Sequence, residues 1–166
     1  AVGKGQAGPV VSKSLPENLR PSVNLLEYER KVFSQNGEDG VLDKIFELIT
    51  PTSRFAVEFG ASDGITGSNV RNLIINKGWS GLLIEGDCRF MHNLRANYRQ
   101  APQAKTLCSF VYPGNVEVLF EEQGVPTDLD LLVIDIDSND YYVWRVMHEV
   151  RPKVVVIEYN PAYPPP

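Results

Sequence analysis

The sequence contains few of the residues that build metal clusters or disulfide frameworks. It has two cysteines and two histidines among 166 residues. Cys88 and Cys108 do not form a C-x-x-C pair, so neither a zinc site nor a disulfide framework is indicated. We interpret the two cysteines as reduced and expect a cytoplasmic setting.

Long apolar runs and an excess of positive charge are also absent. No run approaches the roughly 18 residues of a membrane-spanning helix. The net charge is −5 and the pI is about 5.1, whereas a nucleic-acid-binding domain normally carries a basic patch. We therefore expect neither a membrane nor a nucleic-acid partner, while a small-molecule substrate stays open.

The chain divides into a short arm and one domain. Residues 1–22 are rich in Gly, Pro, Ser and Lys, which predicts a flexible N-terminal arm. Residues 23–166 form one domain, with short helices predicted at 23–31 and 41–50. Apolar strands then alternate with helices, which is typical of a Rossmann-like, doubly wound, mostly parallel α/β sheet. The predicted strands begin at Phe55, Ser80, Lys105, Asp128 and Lys153.

Carboxylates follow four of these five strands. Glu58 ends the first strand, Glu85 the second, Asp135 and Asp137 the fourth, and Glu158 the fifth. The carboxyl ends of parallel strands meet at one edge of a sheet, where ligands bind. This rim of acids suggests a ligand with cationic and hydroxyl groups, or a metal ion.

The loop after the first strand, "FAVEFGASDGITGSN", limits which ligand is expected. It lacks the lysine of a phosphate-binding P-loop. It also fails the dinucleotide pattern G-x-G-x-x-G, because Ser62 and Ile65 stand where the second and third glycines belong. Its two acids, Glu58 and Asp63, would repel a pyrophosphate.

The same loop fits E-x-G-x-[GS]-x-G through Glu58, Gly60, Ser62 and Gly64. This resembles the first motif of class I S-adenosylmethionine-dependent methyltransferases, except that serine replaces the middle glycine. With "SQNGEDG", "GWSGLLIEGD" and "IDIDSNDYYVW", the resemblance extends over roughly residues 33–160 to the FkbM-like group. The full fold of that group adds an antiparallel pair of strands after the fifth, so the sheet is expected to be incomplete.

The resemblance assigns roles to particular residues. The cofactor S-adenosylmethionine would contact the loop through Glu58, Gly60, Ser62 and Gly64, although both glycines could simply permit a tight turn. Glu85 would accept hydrogen bonds from the ribose, a role that its spacing from the loop also fits. Ser109 and Phe110 would lie near the adenine, with a core position for Phe110 equally open. Asp135 would contact cofactor or loop amides, and Asp87 would cap the next helix.

The fourth and fifth strand ends carry the chemistry that the resemblance implies. Asp137 is the candidate general base for O-methylation of a sugar or another small molecule. Asp137, Glu158 and Asn160 could hold magnesium, but a metal-free site is favoured. Tyr141, Tyr142 and Trp144 are expected in the core. The alternative from another class is a non-catalytic binding or scaffold protein with a degenerate methyltransferase fold. An NAD-dependent oxidoreductase is disfavoured by the broken glycine pattern.

Overall fold

The computed structural model describes residues 22–137 and 139–159, and in them a single five-stranded sheet. All strand pairs are parallel, and the order is β3-β2-β1-β4-β5. The strands are β1 (Phe55–Phe59), β2 (Ser80–Glu85), β3 (Ala104–Cys108), β4 (Leu131–Ile134) and β5 (Val154–Ile157). The predicted Rossmann-like α/β fold is confirmed. Of the predicted arm, residues 1–21 lie outside the described residues.

Four α-helices flank the sheet: α1 (Glu38–Leu48), α2 (Met91–Asn97), α3 (Val116–Gln123) and α4 (Asp140–Val146). A π-helix at Asn72–Asn76 and a 3-10 turn at Cys88–Phe90 complete the crossovers. Of the short helix predicted over 23–31, only the 3-10 helix Leu25–Tyr28 forms, and it buries none of its residues. Within the described part, no helix is long and apolar enough to cross a membrane.

Both faces of the sheet are covered by apolar side chains, which is why its strands are apolar on consecutive residues. On one face Ala56 of β1 packs with Leu42 of α1 and Leu94 of α2. On the other face Val57 packs with Phe120 of α3 and Val143 of α4. Successive β1 residues therefore enter different cores, and Glu58 points to the same side as Ala56.

The chain reverses its winding direction at the centre of the sheet. Phe59 of β1 pairs with Ile84 of β2 on one side and with Ile134 of β4 on the other. The first crossovers run from β1 outward to β3, and the chain then returns to place β4 beside β1. This reversal creates a topological switch point between β1 and β4, where ligands bind in open α/β sheets.

The opposite edge of the sheet is held by the buried carboxylate of Asp130, which directly precedes β4. It is fully buried and accepts hydrogen bonds from the backbone N–H groups of Thr52 at 3.0 Å and Arg54 at 2.6 Å. Lys153 adds an ion pair at 3.1 Å. These contacts tie together the chain segments that enter β1, β4 and β5.

A second carboxylate fixes the chain before the sheet. Asp39, at the start of α1, accepts hydrogen bonds at 2.7–2.8 Å from the backbone N–H groups of Val32, Phe33 and Ser34. Ser34 in turn forms a bridge to Gly67 in the loop after β1. Residues 32–34 therefore lie against the loop that leaves the carboxyl end of β1.

Candidate functional site

A cavity of about 440 Å³ opens at the switch point, and we call it the switch-point cavity. Its size is within the range of ligand sites for small molecules and cofactors. Six of the eight residues expected to bind cofactor or act in catalysis line it: Gly60, Ser62, Glu85, Ser109, Asp135 and Asp137. The ends of β1, β2, β3 and β4 thus converge on one space.

Glu85 is held rigidly at the end of β2. It is 9% exposed, and its two carboxylate oxygens accept one backbone N–H each, from Ser62 at 2.6 Å and from Asp87 at 2.7 Å. A carboxylate has about four acceptor positions, so two more hydrogen bonds can form on the cavity side. Glu85 therefore both ties the glycine loop to β2 and retains the capacity to bind vicinal hydroxyls.

The loop after β1 passes very close to β4. A Cβ atom on Gly60 would lie 1.8 Å from the backbone oxygen of Asp135, and the residue has a φ of +74°. The glycine is therefore required by packing within the protein as well as by its position at the cavity.

Backbone conformations that are rare for non-glycine residues concentrate at this cavity. Only three such residues in the described part of the chain have positive φ, and two of them, Ser62 (+49°) and Asp137 (+57°), line it. Such conformations cost about 1–3 kcal/mol each and cluster at functional sites.

The two remaining loop residues, Glu58 and Gly64, do not line the switch-point cavity. A Cβ atom on Gly64 would lie 2.5 Å from side-chain atoms of Leu94 and Tyr98, so this glycine allows α2 to approach. Glu58 is 3% exposed and accepts hydrogen bonds from the Ser68 hydroxyl and the Asn69 N–H, both at 2.7 Å. Through these hydrogen bonds Glu58 holds the end of the loop against β1. Burial, reinforced by the charge of Asp135, raises the pKa of Glu58 to about 7.

A disulfide joins Cys88 to Cys108 across the ends of β2 and β3, with a Cα–Cα distance of 5.5 Å. The interpretation of the cysteines as reduced is wrong. Their separation of 20 residues gave no indication of the bond, which depends on the pairing of Glu85 with Cys108 in neighbouring strands. Disulfides persist mainly in oxidising compartments, so this bond weighs against the expected cytoplasmic setting.

Two exposed aromatic side chains stand beside the disulfide. Phe90 follows Cys88, Phe110 follows Cys108, and both line the cavity. Phe110 is 76% exposed, so it is not a core residue, and its ring carbons lie 3.4 Å from where a Cβ atom on Gly86 would stand. Phe90 was not recognised from the sequence, although its position just beyond β2 was a usable signal. The two rings offer flat apolar surface for an aromatic ligand.

Asp135 and Asp137 place negative charge at the end of β4. Partial burial, followed by the charges of Asp137 and Asp140, raises the pKa of Asp135. Asp140 is buried and accepts a hydrogen bond from the N–H of Ile136 at 2.9 Å, which fixes the turn that carries both acids. Asn139 also lines the switch-point cavity beside these acids, and it was not recognised from the sequence.

Asp87 acts as the expected helix cap. Its carboxylate accepts hydrogen bonds from the N–H of Arg89 at 3.0 Å and from the Arg89 guanidinium, which lowers the pKa of Asp87 to about 2. The aromatic residues of α4 depart from expectation. Tyr141, Tyr142 and Trp144 are 41–47% exposed, because Val143 takes the core position of this helix.

In the described residues, no group of three His, Cys, Asp or Glu side chains is arranged to hold a metal ion. Glu158 lies near Asp135, and burial together with the charges of Asp135, Asp137 and Asp140 raises its pKa. Asn160, the third member of the possible magnesium set, lies outside the described residues.

Comparisons with protein-family models, with curated proteins and with solved structures gave no match to this chain.

Proposed function

We propose that this protein is an S-adenosylmethionine-dependent methyltransferase that methylates a hydroxyl group of a small molecule. The observation that carries the proposal is the charge of the switch-point cavity. Among its described lining residues are four acids, Glu85, Asp87, Asp135 and Asp137, and no Lys, Arg or His. A nucleoside-sized site of this charge favours a cationic nucleoside over a nucleotide.

S-adenosylmethionine has the features that this cavity complements. Its sulfonium and ammonium groups are positive, whereas the pyrophosphate of NAD is negative and would meet the carboxylates of Glu85, Asp135 and Asp137. Glu85 retains acceptor capacity for the ribose hydroxyls, and the rings of Phe90 and Phe110 offer surfaces for the adenine. The resemblance of the loop "EFGASDG" to the first methyltransferase motif supports the same ligand.

When bound, S-adenosylmethionine would supply a methyl group from its sulfonium to an acceptor oxygen, which forms a C–O bond as the C–S bond breaks. The chain must align the acceptor with that methyl group and take up the hydroxyl proton. Asp137 and Asp135 are the candidate proton acceptors, since both line the cavity beyond β4. The raised pKa of Asp135 brings it closer to the range in which a general base works near neutral pH.

The first test is ligand-dependent stability. S-adenosylhomocysteine at about 100 times its dissociation constant should add roughly 2.7 kcal/mol to the free energy of unfolding. For a domain of this size that is a rise of several degrees in melting temperature. NAD at the same concentration should leave the melting temperature unchanged. No shift with S-adenosylhomocysteine at about millimolar concentration would contradict the cofactor assignment and favour the non-catalytic alternative.

Variants then locate the binding site. Glu85→Gln keeps the size of the side chain but removes its charge, and should weaken S-adenosylhomocysteine about tenfold or more. Glu122→Gln, on the exposed side of α3, makes the same chemical change away from the cavity and should bind normally. Equal affinities for these two variants, measured by calorimetry on folded protein, would exclude Glu85 from the ribose site.

A further inference from the structure

A second cavity, of about 340 Å³, lies next to the switch-point cavity, and we call it the β5 cavity. It is lined by the ends of β4 and β5, by the loop after β1, and by residues 35, 36 and 38 around the start of α1. The side chains that matter to its chemistry are Gln35, Asn36, Glu38, Asn69, Glu158 and Tyr159. Asp135 belongs to the walls of both cavities.

The β5 cavity contains hydrogen-bond acceptors that have no donor. Asn69 Oδ1 and Glu158 Oε2 are shielded from solvent and accept no hydrogen bond within the described structure. Buried polar atoms are nearly always paired, and leaving one unpaired costs about 1–3 kcal/mol. These two oxygens can therefore accept hydrogen bonds from a ligand without giving up an existing hydrogen bond. Both are therefore available to a molecule that brings N–H or O–H donors.

The charge of the β5 cavity restricts that molecule further. Its described lining residues include Glu38, Asp135 and Glu158 but no Lys, Arg or His. The Glu38 carboxylate already accepts two hydrogen bonds from Asn36, one from the backbone N–H at 2.7 Å and one from the side-chain amide at 3.3 Å. Burial, followed by the charges of Asp135, Asp137 and Asp140, raises the pKa of Glu158, so Glu158 is repelled by neighbouring negative charge. A ligand cation would relieve this repulsion, whereas a carboxylate or phosphate would add to it.

We infer that the β5 cavity binds the methyl acceptor, and that this acceptor is a small polyhydroxylated molecule carrying a protonated amine and no acidic group. Its amine lies toward Glu158, and its reacting hydroxyl lies at Asp135, the one carboxylate that faces both cavities. The part of this inference that makes the ligand a methyl acceptor rests on the proposed function. The chemical class of the ligand follows from the β5 cavity alone. Asp135, rather than Asp137, is then the residue that receives the hydroxyl proton.

The test compares three related sugars on the folded chain: glucosamine, glucose and glucuronate, which are cationic, neutral and anionic. Binding is measured by calorimetry with and without saturating S-adenosylhomocysteine. Glucosamine should bind about tenfold more tightly than glucose, and glucuronate should bind least tightly. The side-chain amide resonance of Asn69 should shift on addition of glucosamine, which places the sugar in the β5 cavity.

Two matched variants assign the contact. Glu158→Gln should weaken glucosamine about tenfold while leaving the affinity for S-adenosylhomocysteine unchanged. Glu149→Gln, an exposed position outside both cavities, should bind both ligands normally.

Three results would overturn the inference: glucuronate binding as tightly as glucosamine, no binding of any of the sugars up to about 50 mM, or an Asn69 amide that does not respond. Failure of the proposed function is distinguishable. If glucosamine binds as described while S-adenosylhomocysteine does not bind, the β5 cavity keeps its ligand class and the methyltransferase proposal falls.

Discussion

Glu58 should make the stability of this protein fall as the pH rises from about 4.5 to about 7. Burial raises the pKa of this carboxyl from an ordinary 4.5 to about 7 in the folded chain. Between these values the unfolded chain has lost the proton and the folded chain retains it, so ionisation favours unfolding. At about 1.4 kcal/mol per pH unit, the loss over this window sums to roughly 3 kcal/mol.

Glu58→Gln isolates this contribution, because glutamine stays neutral at every pH. Its amide can still accept from the Asn69 N–H and face the Ser68 hydroxyl, as Glu58 does. The substitution should therefore change stability by different amounts at pH 5 and pH 8. The free energy of unfolding of the variant minus that of the unsubstituted chain should be roughly 2–3 kcal/mol higher at pH 8 than at pH 5.

The assay is urea unfolding at both pH values, with the difference between variant and parent taken at each. Other titrating groups contribute equally to both chains and cancel in this difference. Glu122→Gln, fully outside the core, should show no such change. If the Glu58→Gln difference is the same at pH 5 and pH 8, Glu58 is not buried as an uncharged acid and the reasoning fails.

Three further predictions concern stability. Gly60→Ala should cost at least about 2 kcal/mol more than Gly78→Ala, because both glycines have positive φ but only Gly60 faces a backbone oxygen; chemical denaturation of both variants measures this. Asp130→Ala should lose about 1–3 kcal/mol, since the N–H groups of Thr52 and Arg54 lose their acceptor and Lys153 loses its ion-pair partner, and an unchanged urea midpoint would contradict that expectation. Replacing Cys88 and Cys108 together with serine should lower the free energy of unfolding by about 2–4 kcal/mol, a loss that added reductant should reproduce in the parent chain only.

The sheet could be predicted from the sequence because its strands are apolar on consecutive residues. Runs such as "LLVI" and "VVVI" have few alternatives in a domain of this size, and helices between them require parallel pairing. The position of the site followed from the same rule, since parallel strands bring their carboxyl ends together. Glu85, Asp135 and Asp137 are accordingly predicted at one edge of the sheet, and the structure brings all three together at the switch-point cavity.

What the sequence did not predict depends on which face a side chain takes and on contacts between distant segments. Glu58 and Glu85 both end strands, yet one lies under the loop and the other lines the cavity. The Cys88–Cys108 bond requires β3 to lie beside β2. The β5 cavity requires residues 35–38 to lie near the end of β5, and no local pattern indicates that proximity.

The contacts of Asp39 join residues that precede the first strand to the sheet. The first strand starts at Phe55, and a domain boundary drawn from the sheet alone would fall just before it. Yet Asp39 fixes residues 32–34, and Ser34 is bridged to the loop that follows β1. A chain shortened to begin at Gly40 would retain every strand but lose Gln35, Asn36 and Glu38, one whole wall of the β5 cavity. Such a chain would keep the sheet but lose part of the proposed acceptor site, so tests of that proposal need a start point before Val32.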